Sequence, residues 1–538
     1  MIFRGLDAGE CGSVKYGFTS GRGSMVLLAH GTILDGTGAP RYRADLLVSE
    51  GRIAAIGSIP AAPGMEVVDC TGLAVAPGFV DVHSHGDQEV LAHLPNKVLQ
   101  GVTTEVVGNC GFSLFPSRPN PTGERLTGEI FDGEPREGMD SAADYFGRVE
   151  EAATLVNVAA LTGHGALRLY AARMRRELSD EEIGAMERAL DRCLEAGSIG
   201  LSTGLNCAPS SFGDTEELVR LCRVVARRGA HYATHLRDYK FRVLEAVDEA
   251  LELGRRAGVP VQFSHLQVVG RKNWDKLDRV LDRIETAARE GVDVGVDAYP
   301  YLAGSCNLTQ FLPSWCQEGG VAALLHRLAS PELRDRIARE TDENMSNTWD
   351  DIVVCNVRSA EASALMGRSI QQVADERGRA AVDTALDLLG EQEGFVYIIS
   401  FNQSEENLRK VLTYHRTAII TDGIVSDGTP HPRTFGTYPK LLGEYVREKR
   451  WLSLEEAIVR TGALQARRFG LAGRGVLEPR AWADIAVFDP QRIGTRSDYE
   501  RPACDPEGVV HVLVNGRFVV RDGRLTGARP GTVLRRGP

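Results

Sequence analysis

Residues able to hold a metal ion stand at the C-terminal ends of several short apolar runs. The first are His83 and His85, which close Ala-Pro-Gly-Phe79-Val-Asp-Val-His83-Ser-His85. On a strand, residues i and i+2 share a face. Two neutral imidazoles side by side are half of a site for a borderline cation such as zinc. Cys110 follows Thr103-Thr-Glu-Val-Val through Gly-Asn, and His164 follows the run 156–161. His235 ends Tyr232-Ala-Thr-His, His265 ends Val261-Gln-Phe-Ser-His, and Asp422 ends Ile419-Ile-Thr-Asp. A lone histidine at a strand end is more often a hydrogen-bonded structural residue. A lone cysteine is more often a buried thiol. The whole set, recurring at one end of successive runs, points to a metal centre. His164 keeps two readings, substrate contact or core hydrogen bonding. The histidines at 30, 93, 231, 326, 415, 431 and 511 read as structural, although His431 lies near Asp422.

The elements that must position these residues alternate along the chain. Apolar runs occur at 79–82, 103–107, 156–161, 199–203, 231–234, 261–264, 292–298, 396–400 and 418–421, with helical patterns between several of them. Ser179 and Glu182 form a capping-box pattern, Ile183, Met186, Leu190 and Leu194 recur at helical spacing, and Gly197 sits where a helix would stop. Strand–helix alternation predicts a parallel sheet. About eight repeats favour closure into a (β/α)8 TIM-type barrel, whose strand ends converge on one mouth. The runs number one too many for that barrel. The run 292–298 fits as strand seven and 396–400 as an accessory. Residues 26–76 and 471–530 are both rich in short strands and are expected to form one small β-sandwich from the two ends of the chain. The barrel is expected over 77–470, with 305–360 an inserted lid subdomain and 1–25 a disordered leader.

Composition narrows the class. The chain has 538 residues and a net charge of −11, which argues against a general nucleic-acid binder. No stretch reaches the roughly 18 unbroken apolar residues of a membrane span, and the first 24 residues lack the apolar segment of a secretory signal. The ten cysteines are scattered, not arranged as a disulfide framework. A cytoplasmic enzyme with a small-molecule substrate, and without nucleic-acid or membrane partners, is expected. Oligomeric state is not legible.

Eight motifs in order carry a specific resemblance. They are His-Ser-His at 83–85, Gly-Asn-Cys-Gly at 108–111, Gly-His-Gly-Ala-Leu-Arg at 163–168 and Ser-Thr-Gly-Leu at 202–205, followed by Thr-His-Leu-Arg-Asp at 234–238, Ser-His at 264–265, Asp-Ala-Tyr-Pro-Tyr at 297–301 and His-Pro-Arg at 431–433. From about residue 26 to 525 the chain resembles the amidohydrolase superfamily, and within it the N-acyl-D-amino-acid deacylases (D-aminoacylases). The resemblance implies a tight zinc held by Cys110, His235 and His265. It implies a second, weaker metal position at His83, His85 and Asp422, with Cys110 open to bridging. Many superfamily members bridge through a carboxylated lysine, and no lysine stands near the end of 199–204. A metal lowers the pKa of bound water from 15.7 toward ~7. Asp422 would then be the general base that passes the proton to the leaving amine.

The substrate shell departs from the family pattern. Gln267 stands where similar members carry a lysine, and Asn206-Cys207 where they carry a tyrosine. His164, Arg168, Tyr299, Ser305 and Arg433 complete the expected substrate set. Arg433 is suited to grip a carboxylate through two nitrogens. Loss of the lysine weakens anion binding, and cysteine for tyrosine enlarges the pocket. The leading expectation is zinc-dependent hydrolysis of N-acyl-D-amino acids. The competing ones are hydrolysis of a cyclic amide, as in hydantoinase- or dihydroorotase-like relatives, a shifted amide substrate, and a metal-free scaffold. The intact ligand set disfavours the last.

Overall fold

The computed structural model describes residues 25–119, 138–425 and 428–537. Residues 1–24 of the expected leader lie outside them, and Met25 itself opens a strand.

The alternating runs build the expected (β/α)8 barrel. Its strands are Phe79–Asp81, Val102–Val107, Asn157–Ala160 with its continuation Thr162–Gly163, Gly200–Gly204, His231–His235, Val261–Phe263, Val294–Ala298 and Thr417–Ile419. Neighbours pair in parallel, and strand seven pairs directly with strand eight, Asp297 opposite Ala418. Closure is made next to the candidate site: Asp422 N donates to His83 O at 2.9 Å and His85 N donates to Gly423 O at 3.0 Å. Val80, Val106, Leu161, Ala233 and Ile420 pack inside the barrel. The helices outside bury a larger apolar layer that includes Leu190, Leu221, Leu251 and Ile284. The helix Asp180–Glu195 starts at Ser179 with both bonds of the capping box formed, as its sequence predicts.

Both chain ends join one continuous nine-stranded sheet. The seam is Ala74–Pro77 against Ile485–Phe488, antiparallel, with Pro77 opposite Ile485. Its own buried cluster takes Leu28, Leu46 and Val75 from one end of the chain and Ile485, Val487 and Leu513 from the other.

Between strands seven and eight the chain leaves the barrel. Ala303–Asn307, Ile352–Val357 and Val396–Phe401 form a separate antiparallel sheet, with Val396–Phe401 in the centre. The accessory run 396–400 is therefore the middle strand of the insert, and the insert extends beyond the expected end at 360. The helices Ile370–Arg377 and Ala381–Glu391 belong to it, packed with Leu308, Leu324 and Ile398 in a separate core.

Candidate metal centre

The ends of strands one, two, six and eight bring His83, Cys110, His265 and Asp422 together. One donor atom from each lies within 4.8 Å of the others, and all four residues are buried. Cys110 Sγ is 3.2 Å from His83 Nε2 and 3.4 Å from His265 Nε2. Asp422 Oδ1 is 3.3 Å from His83 Nε2 and 3.1 Å from His85 Nε2. The His235 ring lies 4.5 Å, centroid to centroid, from that of His265. The group of four takes two members from each metal position that the resemblance implied. Cys110 stands between them.

The backbone is unusual at three of these residues. Cys110, His265 and Asp422 have φ of 52°, 33° and 48°. Non-glycine residues seldom enter this region, and strain of that kind gathers at functional sites. The turn before Cys110 explains its glycine. Gly108 has φ of 77°, and a Cβ there would meet Leu161 O at 2.2 Å.

Side chains outside the cluster orient it. Asp297 Oδ1 accepts from His265 N at 2.6 Å and lies 3.3 Å from His83 Nδ1. The Tyr239 hydroxyl reaches His265 Nδ1 at 3.1 Å. Beneath the pair His83 and His85, Lys97 Nζ donates to Asp81, Ser84 and Thr421, each at 2.7 Å, and ties strand one to strand eight. Asp297, Tyr239 and Lys97 contact the cluster or its strands and were not among the candidate site residues read from sequence. Of the three, Asp297 had a signal: it opens the motif Asp-Ala-Tyr-Pro-Tyr at 297–301.

Charge is balanced inside the cluster. Burial pushes the Cys110 thiol up, but His83 and His265 outweigh it and hold Cys110 well below the ordinary thiol range. Burial likewise opposes ionisation of Asp422, and Arg433 and His83 outweigh it, keeping the carboxylate well below its usual value. His85 ends at about 9: burial lowers it, and Asp422 and Cys110 more than compensate. Thiolate sulfur, imidazole nitrogen and carboxylate oxygen are the donor types that zinc takes. The fit is supported by a buried nitrogen with no hydrogen-bond partner, His235 Nε2. A cation removes the cost of leaving such groups bare.

The chain matches known proteins over almost its whole length. The Amidohydrolase family model matches residues 66–520. The chain belongs to the amidohydrolase family. It is 36% identical over 516 residues to a D-aminoacylase of Alcaligenes xylosoxydans xylosoxydans, covering 95% of this chain and 97% of that one. It is 37% identical over 514 residues to an N-acyl-D-glutamate deacylase of the same organism, covering 95% and 96%. The crystal structure of N-acyl-D-glutamate deacylase from Bordetella bronchiseptica, complexed with zinc and a phosphonate inhibitor, superposes with a TM-score of 0.82 at 35% identity, covering 95% of this chain and 99% of that one.

A cavity of about 350 Å³ opens over the amidohydrolase cluster, with His235, His265 and Asp422 in its wall and Ser305, Gln310 and Phe311 contributed by the insert. Tyr299, Ser305, Gln267 and Arg433, all expected in the substrate set, line it. Arg433 NH2 is 2.9 Å from Asp422 Oδ2, and its guanidinium lies 4.6 Å from the Tyr299 ring centre. His431, read from sequence as structural, accepts from Arg433 N at 3.0 Å and helps to set that arginine. Cys207 borders a smaller space of about 60 Å³ beside Cys110.

His164 and Arg168 are placed elsewhere. Neither lines these cavities. His164 Nε2 is 2.7 Å from Glu217 Oε1, His164 Nδ1 is 3.0 Å from Ser210 Oγ, and Arg168 NH1 is 2.5 Å from Glu217 Oε2. Their expected place in the substrate set is corrected to a buried network. Glu217, on a later helix, reaches back to satisfy both.

Proposed function

We propose that this amidohydrolase is a zinc enzyme that hydrolyses the amide bond of N-acyl-D-amino acids to a carboxylate and a free D-amino acid. The observation that carries the reading is the buried sulfur–imidazole–carboxylate cluster under a cavity of about 350 Å³. The chain around it is 36% identical to a D-aminoacylase. Cys110, His235 and His265 hold the tight zinc, and His83, His85 and Asp422 form a second, weaker position. The insert serves as a lid, and the sheet from both chain ends braces the barrel. The nine described cysteines are all free, which supports a reducing, cytoplasmic setting.

A zinc ion held there supplies Lewis acidity, lowering the pKa of water toward ~7 and polarising a carbonyl. The protein's own groups move the proton. Asp422 takes it from the attacking water and gives it to the leaving amine nitrogen. Arg433 fixes one Asp422 oxygen and leaves the other toward His83 and His85.

The test is amine release by zinc-supplied protein from a panel of N-acyl-D- and N-acyl-L-amino acids and hydantoins. Turnover confined to hydantoins would replace the reading. Asp422→Asn is expected to retain its zinc and lose about 10²–10⁴ of turnover. A wild-type rate in that variant would remove Asp422 from the proton path.

A further inference from the structure

The deacylase reading leaves one charge unassigned. An N-acyl-amino acid carries a carboxylate into this cavity, where position 267 offers only the neutral Gln267. Three cationic residues line that cavity, Arg237, Lys240 and Arg433. Arg237 is held in a fork by Glu249, with Nε 2.8 Å from Oε2 and NH2 2.9 Å from Oε1, and donates further to Ser211 O and Gly213 O. Arg433 is paired with Asp422. Lys240 is different. Its Nζ donates to one backbone carbonyl, Asn344 O, at 3.2 Å, and lies 5.6 Å from the Phe311 ring centre.

Nearby acids do not neutralise Lys240. Asp238 Oδ1 is occupied by its own loop, accepting from Lys240 N at 2.6 Å and Arg242 N at 3.0 Å. Among the described residues Lys240 has no ion-pair partner within 4.0 Å. An ammonium has three donors, and one is used. Burial lowers its pKa from the ordinary lysine value, which is the sign of a cation short of compensating charge.

We propose that Lys240 is the specificity residue that binds the carboxylate of the substrate in this protein. The proposal rests on the deacylase reading for the identity of the anion. The ammonium comes from the loop after strand five, and two of its neighbours, Phe311 and Asn344, come from the insert. A carboxylate at Lys240 would therefore join barrel and insert around the bound molecule.

The experiment measures binding and turnover separately. The binding probe is a ketomethylene analogue of an N-acetyl-D-amino acid, with CH2 in place of the amide NH, as the free acid and as the carboxamide. Zinc-supplied wild type should bind the acid about tenfold more tightly or better, the scale of a hydrogen bond between charged groups. Lys240→Met should lose that preference, and Lys240→Arg should keep it. On an N-acetyl-D-amino acid, Lys240→Met should raise KM about tenfold with kcat within about twofold, whereas a merely structural role would lower kcat and weaken both analogues together. An undiminished preference for the acid in Lys240→Met, or equal weakening of acid and carboxamide, overturns the proposal. Wild type that prefers the acid analogue but hydrolyses no N-acyl-D-amino acid refutes the deacylase reading while leaving Lys240 as a carboxylate site.

Discussion

Two histidine-bearing strand ends of the same barrel have opposite chemistry. At the mouth, His235 Nε2 is buried with no hydrogen-bond partner. Behind the third strand, His164 has both ring nitrogens engaged, by Ser210 and Glu217. Burial and neighbouring arginines lower the His164 pKa despite the carboxylate. The Glu217 carboxylate can only accept, so Nε2 donates to it, and Ser210 occupies Nδ1. The contrast separates an imidazole nitrogen left open at the mouth from an imidazole saturated by its neighbours. Bare buried nitrogens are costly unless something outside the chain completes them. Saturated ones hold the fold.

The largest effect that would break this comparison is at the open site. Cys110→Ser removes the sulfur standing between His83 and His265. The expected outcome is loss of tightly bound zinc and of more than about 10³ in turnover, since both zinc-assisted effects go together. Elemental analysis beside a rate measurement checks it. Wild-type zinc content in the variant would show that the thiolate is not a ligand.

Glu217→Gln acts on the closed network and should do the reverse. It leaves the buried Arg168 guanidinium without its carboxylate, a loss of about 3–5 kcal/mol for a broken buried pair. Zinc content should stay near wild type. The pH dependence has a definite sign. Burial raises the Glu217 pKa, but His164 and Arg168 more than offset it and bring it from 4.5 to about 2. A depressed carboxylate stabilises the fold above its unfolded value, and that contribution disappears as pH falls through the folded one. The stability gap between wild type and Glu217→Gln should be constant above about 5 and shrink between about 4.5 and about 2. Urea midpoints along a pH series read it. A gap that widens on acidification would contradict the assigned pairing.

The comparison also explains what was legible in the sequence. Runs of apolar residues marked all eight barrel strands because strand burial needs contiguous apolar side chains. The residues after them marked the mouth because strand ends converge there. His164 obeyed the same rule, and of its two readings its contacts match core hydrogen bonding. What distinguishes it is Glu217, 53 positions later in the chain, and no local pattern reports that a remote carboxylate will turn inward. Lys240 and Tyr239 were missed for the same reason: their contacts depend on how one loop after His235 folds back. The insert was bounded too early because Ile370–Arg377 and Ala381–Glu391 have the periodicity of barrel helices. Only their packing on Leu308 and Ile398 assigns them to the insert.

The smallest expected effect sharpens the boundary between the two regions, because Tyr239 belongs to both kinds. Its hydroxyl accepts from Leu236 N at 2.9 Å, lies 3.0 Å from Ser264 O and 3.1 Å from His265 Nδ1. One hydroxyl has one proton, and Ser264 O can only accept. The proton therefore goes to Ser264 O, and the oxygen accepts from Leu236 N–H and from His265 Nδ1–H. That choice places the His265 proton on Nδ1 and leaves the Nε2 lone pair toward Cys110 Sγ, 3.4 Å away. A satisfied hydroxyl on one side thus creates the free donor on the other. Tyr239→Phe should weaken zinc binding about 10–100-fold, the usual cost of losing an orienting partner. Stability should fall by only about 1–3 kcal/mol, for the backbone N–H and imidazole N–H left unpaired. Turnover should recover when zinc is supplied in excess. A variant that binds zinc as tightly as wild type would mean that the backbone bend at His265, φ 33°, orients the imidazole without the tyrosine.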